Sequence, residues 1–519
     1  MSALREVQEP RAGVPARAAG AASAVAPPGD GPLDLVLELA AALDAEGVRY
    51  CHWKSNASIA RALAGDDDLD LLVSRADAQR FEAVLRRLGF REAALPRWKE
   101  LPGVVHAYGL DRGTGRLVHV HLHHRLVVGD DMTKNYHLPI EEAYVASAGP
   151  GDPLPVPAPE FELGLLLVRL VLKHCAWDAI ASLQGSLSAS ERRELADLGG
   201  RVDPERVWDV LGRHLPVLER PLLERCRRSL EPGVSPWFRA RTAAMLERAL
   251  ASCARRGRRV DVWLKLWRRG RTFVRRKVLR RGPDPKRLGA RGALVAIVGS
   301  DGAGKTTVVR DLAGWLGKEF RVRTVHLGRP PRSALSTVVK GLLSLAARLR
   351  RAPMPSGPLL RASLAQDGAA LGPRATARLA WEVMTARDRW LAYRRARRAA
   401  SNGAIVLCDR FPLAGVTTMD AGVGARPDGG PRGRAAHALL RLERRLYRRI
   451  LPPDVLIVLR LPPDLAVARK PEEREERVRP RAAEVWTMDW GATGAVVIDA
   501  ARPLPEVLLE VRSAVWSRL

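Results

Sequence analysis

Three rhythms of apolar residues divide the chain. Over 33–45 and 76–88 apolar positions return at helical spacing, with short apolar runs between and after them. That pattern predicts a small α/β unit spanning 33–150. Over 151–289 the rhythm is helical, and Leu163, Leu166, Leu167, Leu170 and Val171 mark one stripe as core. From 290 to 519, apolar runs of strand length at 293–298, 322–327, 404–408, 455–459 and 495–498 alternate with helical segments. Continuous apolar strands separated by helices predict a parallel sheet with helices on both faces. The Pro/Gly-rich stretches 330–372 and 422–433 read as insertions or mobile loops, and 1–32, rich in Ala, Pro and Gly, as a disordered tail without a signal peptide.

Composition narrows the class. A chain of 519 residues is long for one core, so two or three domains are expected. No run of about 18 uncharged apolar residues exists to span a membrane; the longest candidate, 163–172, is broken by Arg169. The five cysteines are scattered with no C-x-x-C pair, which argues against a disulfide framework or a zinc site and for a reducing cytoplasm.

The formal net charge is +29, and its distribution matters more than its size. Between residues 255 and 291, sixteen Lys/Arg stand against two Asp, a net +14. In that segment Val260, Trp263, Leu264, Trp267, Val274 and Val278 fall on one helical face. Two placements compete: a linker helix docked on a neighbouring domain, or a helix lying on an anionic membrane at the inner face, with Arg268, Arg269, Arg275 and Arg276 toward lipid. Nucleic acid is disfavoured because no aromatic-rich recognition motif accompanies the charge.

The most specific chemistry is Gly299-Ser300-Asp301-Gly302-Ala303-Gly304-Lys305-Thr306-Thr307, which satisfies G-x-x-x-x-G-K-[ST]. It follows the apolar run 293–298 and precedes Val308, Val309, Leu312, Trp315 and Leu316 at helical spacing. Strand, glycine loop and helix together form a cradle for phosphate. Backbone N–H groups converge there, Lys305 reaches the β/γ-phosphates, and Thr306 offers a hydroxyl to Mg²⁺. The strand 404–408 ends in Asp409, a candidate Mg²⁺ carboxylate, followed by Arg410 at the edge where open α/β sheets bind ligands. The charged run 469–481 contains Arg474, Arg477 and Arg479, the cations that phosphoryl transfer requires of a mobile lid.

Together with Ala386-Arg387-Asp388-Arg389, Cys408-Asp409-Arg410-Phe411 and Val497-Ile498-Asp499-Ala500, the loop resembles the thymidylate kinase family over roughly 290–519. The resemblance implies that Lys305 and Thr306 hold ATP·Mg²⁺, that Asp301 and Arg410 contact the sugar and phosphate of the acceptor nucleotide, and that Arg389 contacts its base. Ala303 leaves the loop without a basic residue, a variant that in this family goes with lid arginines, here Arg474 and Arg477. The match departs at 411–420, where the Ser and Tyr-Gln of the family's base pocket are missing. That form resembles the thymidylate-kinase-like proteins associated with cell-surface polysaccharide genes.

In the amino-terminal unit Asp68-Leu69-Asp70-Leu71 follows Gly65-Asp66-Asp67. Acids two apart on a strand point to one face, so Asp68 and Asp70 could hold Mg²⁺ ions on a nucleoside triphosphate. The spacing resembles polymerase-β-type nucleotidyltransferases over about 45–130, with Lys54-Ser55 in place of Gly-Ser. His121 stands where the family's third acid would be, so the expectation is weak transfer. His119, His121 and His123 alternate along 117–124, either a plain polar face or imidazoles for Zn²⁺ or Ni²⁺.

The function expected from sequence is ATP- and Mg²⁺-dependent phosphoryl transfer to a nucleoside monophosphate, dTMP-like, or a similar small phosphate acceptor. Two alternatives stand beside it: nucleotidyl transfer through Asp68 and Asp70, or a non-catalytic nucleotide-gated partner in cell-surface polysaccharide biosynthesis. A homodimer is left open.

Overall fold

A computed structural model describes residues 31–181, 185–280, 282, 284–328, 330–349, 372–413 and 433–519. The expectations for the tail to residue 30, for most of the 330–372 and 422–433 loops and for 414–420 lie outside these residues. The architecture is mixed α/β, and the chain divides into two compact units, Ala26–Lys286 and Arg287–Leu519.

The first unit is built on β1 (Tyr50–His52), β2 (Leu69–Val73), β3 (Arg91–Ala94), β4 (Val104–Leu110) and β5 (Leu117–His123). These run in the order β1-β2-β5-β4-β3. Only β2 and β5 are parallel; the other neighbours are antiparallel. Alternation along β2 sends Leu69, Leu71 and Val73 into a core with Leu39 and Leu43 of the helix Asp34–Ala45 and Phe81 of the helix Ala78–Arg87. Those two helices match the 33–45 and 76–88 periodicities within two residues. Leu72, on the opposite face, joins a second core with Cys51, Trp53, a hairpin of β6 (Leu126–Val128) and β7 (Tyr136–Leu138), and a helical layer.

That layer comprises Pro159–His174, Ala189–Arg201, Pro204–His214, Arg220–Ser229 and Pro236–Ala249. Four of these five helices carry proline in the first turn, where its fixed φ suits a helix start and its missing N–H costs nothing. The expected stripe Leu163, Leu166, Leu167, Leu170 and Val171 is buried, packed with Val207, Trp208, Leu211, Leu223 and Leu246. The helix Arg258–Phe273 follows, with charged Asp261, Lys265 and Arg268 as its buried residues.

The second unit opens with the short β8 (Arg287–Leu288) and continues as β9 (Leu294–Gly299), β10 (Val322–His326), β11 (Ile405–Asp409), β12 (Val455–Arg460) and β13 (Val496–Asp499). β9 to β13 form a sheet in the order β10-β11-β9-β12-β13, parallel at every step. This matches the five apolar runs read from sequence. The helix Pro373–Ser401 buries Ala392, Tyr393, Ala396 and Ala400 against Leu294, Ala296 and Val298 of β9. The helices Lys305–Gly317 and Leu504–Arg518 also pack on the sheet and are tied by Arg512, which bonds Asp311 at 2.7 and 3.0 Å. Among the described residues no helix is long and apolar enough to cross a membrane.

Candidate functional site

Each unit carries its own candidate site. In the first, the pleat that sends Leu69 and Leu71 to the core turns Asp70 to the other face. The parallel register sets His121 of β5 directly opposite Asp70, and the antiparallel register of β4 sets His106 opposite His121 and Tyr108 opposite His119. The rings line up in a row: Tyr108 stacks on His119 and His106 on His121, each at 4.3 Å between centroids, and His121 meets His123 tilted at 4.4 Å. The expected shared histidine face is real, and β4 adds His106 to it.

Around this row the two carboxylates have different partners. Asp68, half exposed just before β2, has its Oδ1 2.5 Å from His119 Nδ1, and His119 Nε2 lies 3.0 Å from His106 Nδ1. Asp70 is buried, with its Oδ1 2.9 Å from Lys54 Nζ, 3.0 Å from His121 Nδ1 and 3.4 Å from His123 Nε2. Burial pushes the Asp70 carboxyl up, but the Lys54 ammonium and the two imidazoles outweigh it and hold the group well below the usual carboxylate range. Burial opposes ionisation of Asp68 too, and the bond to His119 again wins, lowering its pKa. Burial, with His121 alongside, pushes His123 down to about 3, and burial with His121 and His119 pushes His106 down to about 2. At neutral pH these two rings are uncharged.

The Lys54-Ser55 turn stands where the nucleotidyltransferase resemblance has Gly-Ser. Ser55 takes the left-handed φ of 60° that a glycine would adopt without strain. The helical layer holds it there: Ser55 donates its amide to Glu194 Oε1 at 3.0 Å, and Asn56 donates its side-chain amide to Glu162 Oε1 at 2.8 Å. Asn56 in turn lies 2.5 Å from His52 Nδ1. Sequence reasoning missed Glu162 and Glu194 because nothing local links them to residue 55.

In the second unit the glycine loop 299–304 joins β9 to the helix Lys305–Gly317. Gly302 and Gly304 take φ of 81° and 83°, and a Cβ on Gly299 would meet the Leu459 carbonyl oxygen at 2.6 Å. Lys305 is buried and donates to the carbonyls of Gly299 at 3.0 Å and Ser300 at 2.7 Å. Thr306 Oγ1 lies 3.4 Å from Asp409 Oδ2, so the two residues expected at a metal stand together. Asp301 gathers cations: Arg410 at 3.4 Å, Arg481 at 3.0 Å and Lys305 at 3.9 Å. Burial raises the Asp301 carboxyl, but Lys305 and the two arginines more than offset this, and its pKa falls. Arg410 holds a left-handed φ of 62°, a strained setting that aims its side chain at the loop.

Ser300, Gly302, Ala303 and Thr307 complete the loop and the first helical turn as the motif requires. Other expected residues are placed differently. Arg389 is buried and donates to the carbonyls of Leu327 at 2.6 Å and Gly328 at 2.9 Å, and it also bonds the Tyr447 hydroxyl. Its guanidinium is engaged in bracing the segment after β10. Arg474 and Arg477 are exposed at the start of the helix Glu475–Thr487, and Arg479 pairs with Glu475 and Asp464. Arg481 is the arginine of that run that reaches Asp301. Arg474, Arg477 and Arg481 repeat at helical spacing, a signal that puts Arg481 on the same face.

Comparison with known proteins bears on the first unit. The family model described as "Uncharacterised nucleotidyltransferase" matches residues 34–185, so this chain carries a nucleotidyltransferase-like domain that includes the whole histidine row and the helix Pro159–His174. The chain is also similar to the "Uncharacterized ATP-binding protein YghR" of Escherichia coli strain K12 and of Escherichia coli O6:H1. Each is 25% identical over 231 residues, which is 43% of this chain and 86% of the relative.

Proposed function

We propose that this chain is a nucleotide-dependent transferase whose amino-terminal unit moves a nucleotidyl group from a nucleoside triphosphate to an acceptor. The observation that carries the reading is the pair Asp68 and Asp70, presented on one face at the start of β2 inside a nucleotidyltransferase-like domain. The residues fit a divalent ion: the buried Asp70 Oδ1 already gathers Lys54 Nζ at 2.9 Å, a cation that an ion could replace. A bound ion would neutralise triphosphate oxygens. In the transfer a bond forms from the acceptor oxygen to the α-phosphorus, the bond to pyrophosphate breaks, and the acceptor proton leaves to solvent or a neighbouring base. His121, in the third acid's place, is a metal-competent imidazole 3.0 Å from Asp70.

The test uses full-length protein with nucleoside triphosphates labelled at the α-phosphate and either Mg²⁺ or Mn²⁺. Label should pass to an acceptor, or to the protein itself, with pyrophosphate release. Asp68→Asn and Asp70→Asn should each abolish it. Pyrophosphate release that survives both substitutions would remove this reading.

A second reading is favoured by the glycine loop and by relatives named as ATP-binding. In it, the carboxy-terminal unit is a P-loop, thymidylate-kinase-like domain that transfers the ATP γ-phosphoryl to a nucleoside monophosphate or similar small phosphate acceptor. What supports it is the strand–loop–helix order, Thr306 beside Asp409, and Arg410 with Arg481 on Asp301. Mg²⁺ would sit with Thr306 and Asp409. Lys305→Ala should lower ATP turnover by about a hundredfold or more, because one phosphate-facing cation is lost. Unchanged turnover would leave the loop without a catalytic role.

A further inference from the structure

We propose that Asp70, His121 and His123 form a binding site for one divalent transition-metal ion, of the Co²⁺, Mn²⁺ or Zn²⁺ class rather than Mg²⁺. The three residues each offer one ligand atom, and these atoms lie within 4.8 Å of one another. Asp70 Oδ1 stands 3.0 Å from His121 Nδ1 and 3.4 Å from His123 Nε2. Donors bonded to one tetrahedral ion at about 2.0–2.1 Å are separated by about 3.3 Å, so these separations suit a shared ion.

The second observation concerns the ring nitrogens of His121 and His123. Apart from the approach of one nitrogen of each ring to Asp70 Oδ1, all four ring nitrogens of His121 and His123 are buried without a hydrogen-bond partner. Buried polar atoms in native proteins find partners, and two buried rings whose nitrogens find so few call for an explanation. An ion beside Asp70 would engage one nitrogen of each ring. The rings are also held: His106 stacks on His121 at 4.3 Å, and Trp53 meets His123 edge-on at 5.0 Å. Two imidazoles and one carboxylate form a borderline donor set, which suits first-row transition metals, whereas Mg²⁺ prefers oxygen ligands.

Lys54 Nζ shares Asp70 Oδ1 at 2.9 Å and is a quarter exposed. The ammonium therefore competes for the same oxygen and can swing toward solvent when an ion enters. Asp68 is separately occupied by His119, which leaves it outside the ligand set. The inference shares Asp70 with the nucleotidyl-transfer reading but not its chemistry, and it is tested without nucleotide, so the two can fail separately.

Full-length protein stripped with a chelator is titrated with Co²⁺ and read by visible absorption. A d–d band distinct from the aquo ion should saturate at one equivalent, and Zn²⁺ should quench it while Mg²⁺ at the same concentration should not. His121→Gln and His123→Gln should each weaken binding about tenfold or more, His119→Gln should leave it, and Lys54→Met should tighten it. An unchanged aquo-ion spectrum in the wild-type protein overturns the proposal without any variant, as does a band that survives both glutamine substitutions.

A different observation carries a second proposal. The helix Arg258–Phe273 is inverted: Asp261 is 2% exposed and Lys265 4%, whereas Trp263 is 64% exposed and Phe273 62%. Lys265 pairs with Asp261 at 3.1 Å, and Arg269 pairs with Asp130 at 2.7 Å and Asp178 at 2.9 Å. Its outward side presents Val260, Trp263, Leu266 and Trp267, flanked by exposed Arg259, Arg271, Arg276 and Lys277. This corrects the sequence expectation, since Arg268 and Arg269 turn inward and cannot face lipid. We infer that this side rests on an anionic lipid surface, because its apolar stripe and its cationic border match headgroup and charge together. Sedimentation with vesicles should show binding to phosphatidylglycerol mixtures, none to pure phosphatidylcholine, and loss in high salt. Trp263→Ser/Trp267→Ser should reduce partitioning about tenfold or more. Equal failure on both vesicle types, or a concentration-dependent dimer abolished by the same double substitution, overturns it.

Discussion

Arg481 reaches across 180 residues of sequence to set its Nη1 3.0 Å from Asp301 Oδ2. Asp301 lies inside the glycine loop, and Arg481 lies on the second turn of the helix Glu475–Thr487. The ion pair brings a cation from a late helix onto the loop that would meet phosphate. Of the arginines in this charged run, only Arg481 is seen on Asp301 among the described contacts.

If the carboxy-terminal unit handles ATP, Arg481→Ala should lower turnover by about a hundredfold, the scale of losing one positioned cation. Arg474→Ala, at an exposed helix start, should change it by less than about threefold. The comparison is made by steady-state ATPase assay of both variants, and equal effects would contradict the assignment.

The acceptor should not be dTMP. The Ser and Tyr-Gln of the family's base pocket are missing over 411–420, and Phe411, which opens that stretch, is buried and meets Tyr393 edge-on at 6.4 Å. A pocket discriminates bases through hydrogen bonds that this residue cannot make. Kinetics over the common monophosphates should give dTMP a kcat/KM below about 10⁴ M⁻¹s⁻¹. A clear preference for dTMP would contradict this.

Glu191 should make the first unit acid-sensitive. It closes the capping box of the helix Ala189–Arg201 and accepts bonds from Lys173 and His174. Burial raises its pKa, but His174, Ser188 and Lys173 prevail and hold it well below the usual carboxylate range. A depressed folded-state pKa contributes stability above the unfolded value, about 4.3, and that contribution is lost as pH falls through the folded value. Glu191→Gln should therefore lower Tm at neutral pH, with a gap from wild type that shrinks below about pH 4. A gap independent of pH would contradict the linkage.

Gly109→Ala should destabilise the first unit by about 1–3 kcal/mol through overpacking. A Cβ there would meet Leu35 Cδ2 at 2.7 Å and Phe90 Cε1 at 2.8 Å, both in the closed core. Thermal unfolding followed by circular dichroism checks this, and an unchanged midpoint would show that the core yields.

The sequence made local order legible. The loop 299–307 was readable because strand, glycines, lysine and helix are contiguous, and Asp68 with Asp70 because a strand's period is two. The composition of the histidine row was only half readable. His106 joins it through the register of β4 on β5, which depends on long-range pairing. Periodicity likewise showed that 258–273 has an apolar face but not which face turns inward. That was decided by Asp130 and Asp178, which lie far off in sequence and capture Arg269.

The anchoring of Ser55 by Glu194 and of Asn56 by Glu162 has a consequence for how the protein is made. These bonds join residues 139 and 106 positions apart. A ribosome that has released the strands alone has delivered Asp68, Asp70 and the histidines, but not the two glutamates that fix the turn beside them. The amino-terminal site therefore matures only after the helix Ala189–Arg201 has emerged and docked, well behind its own strands.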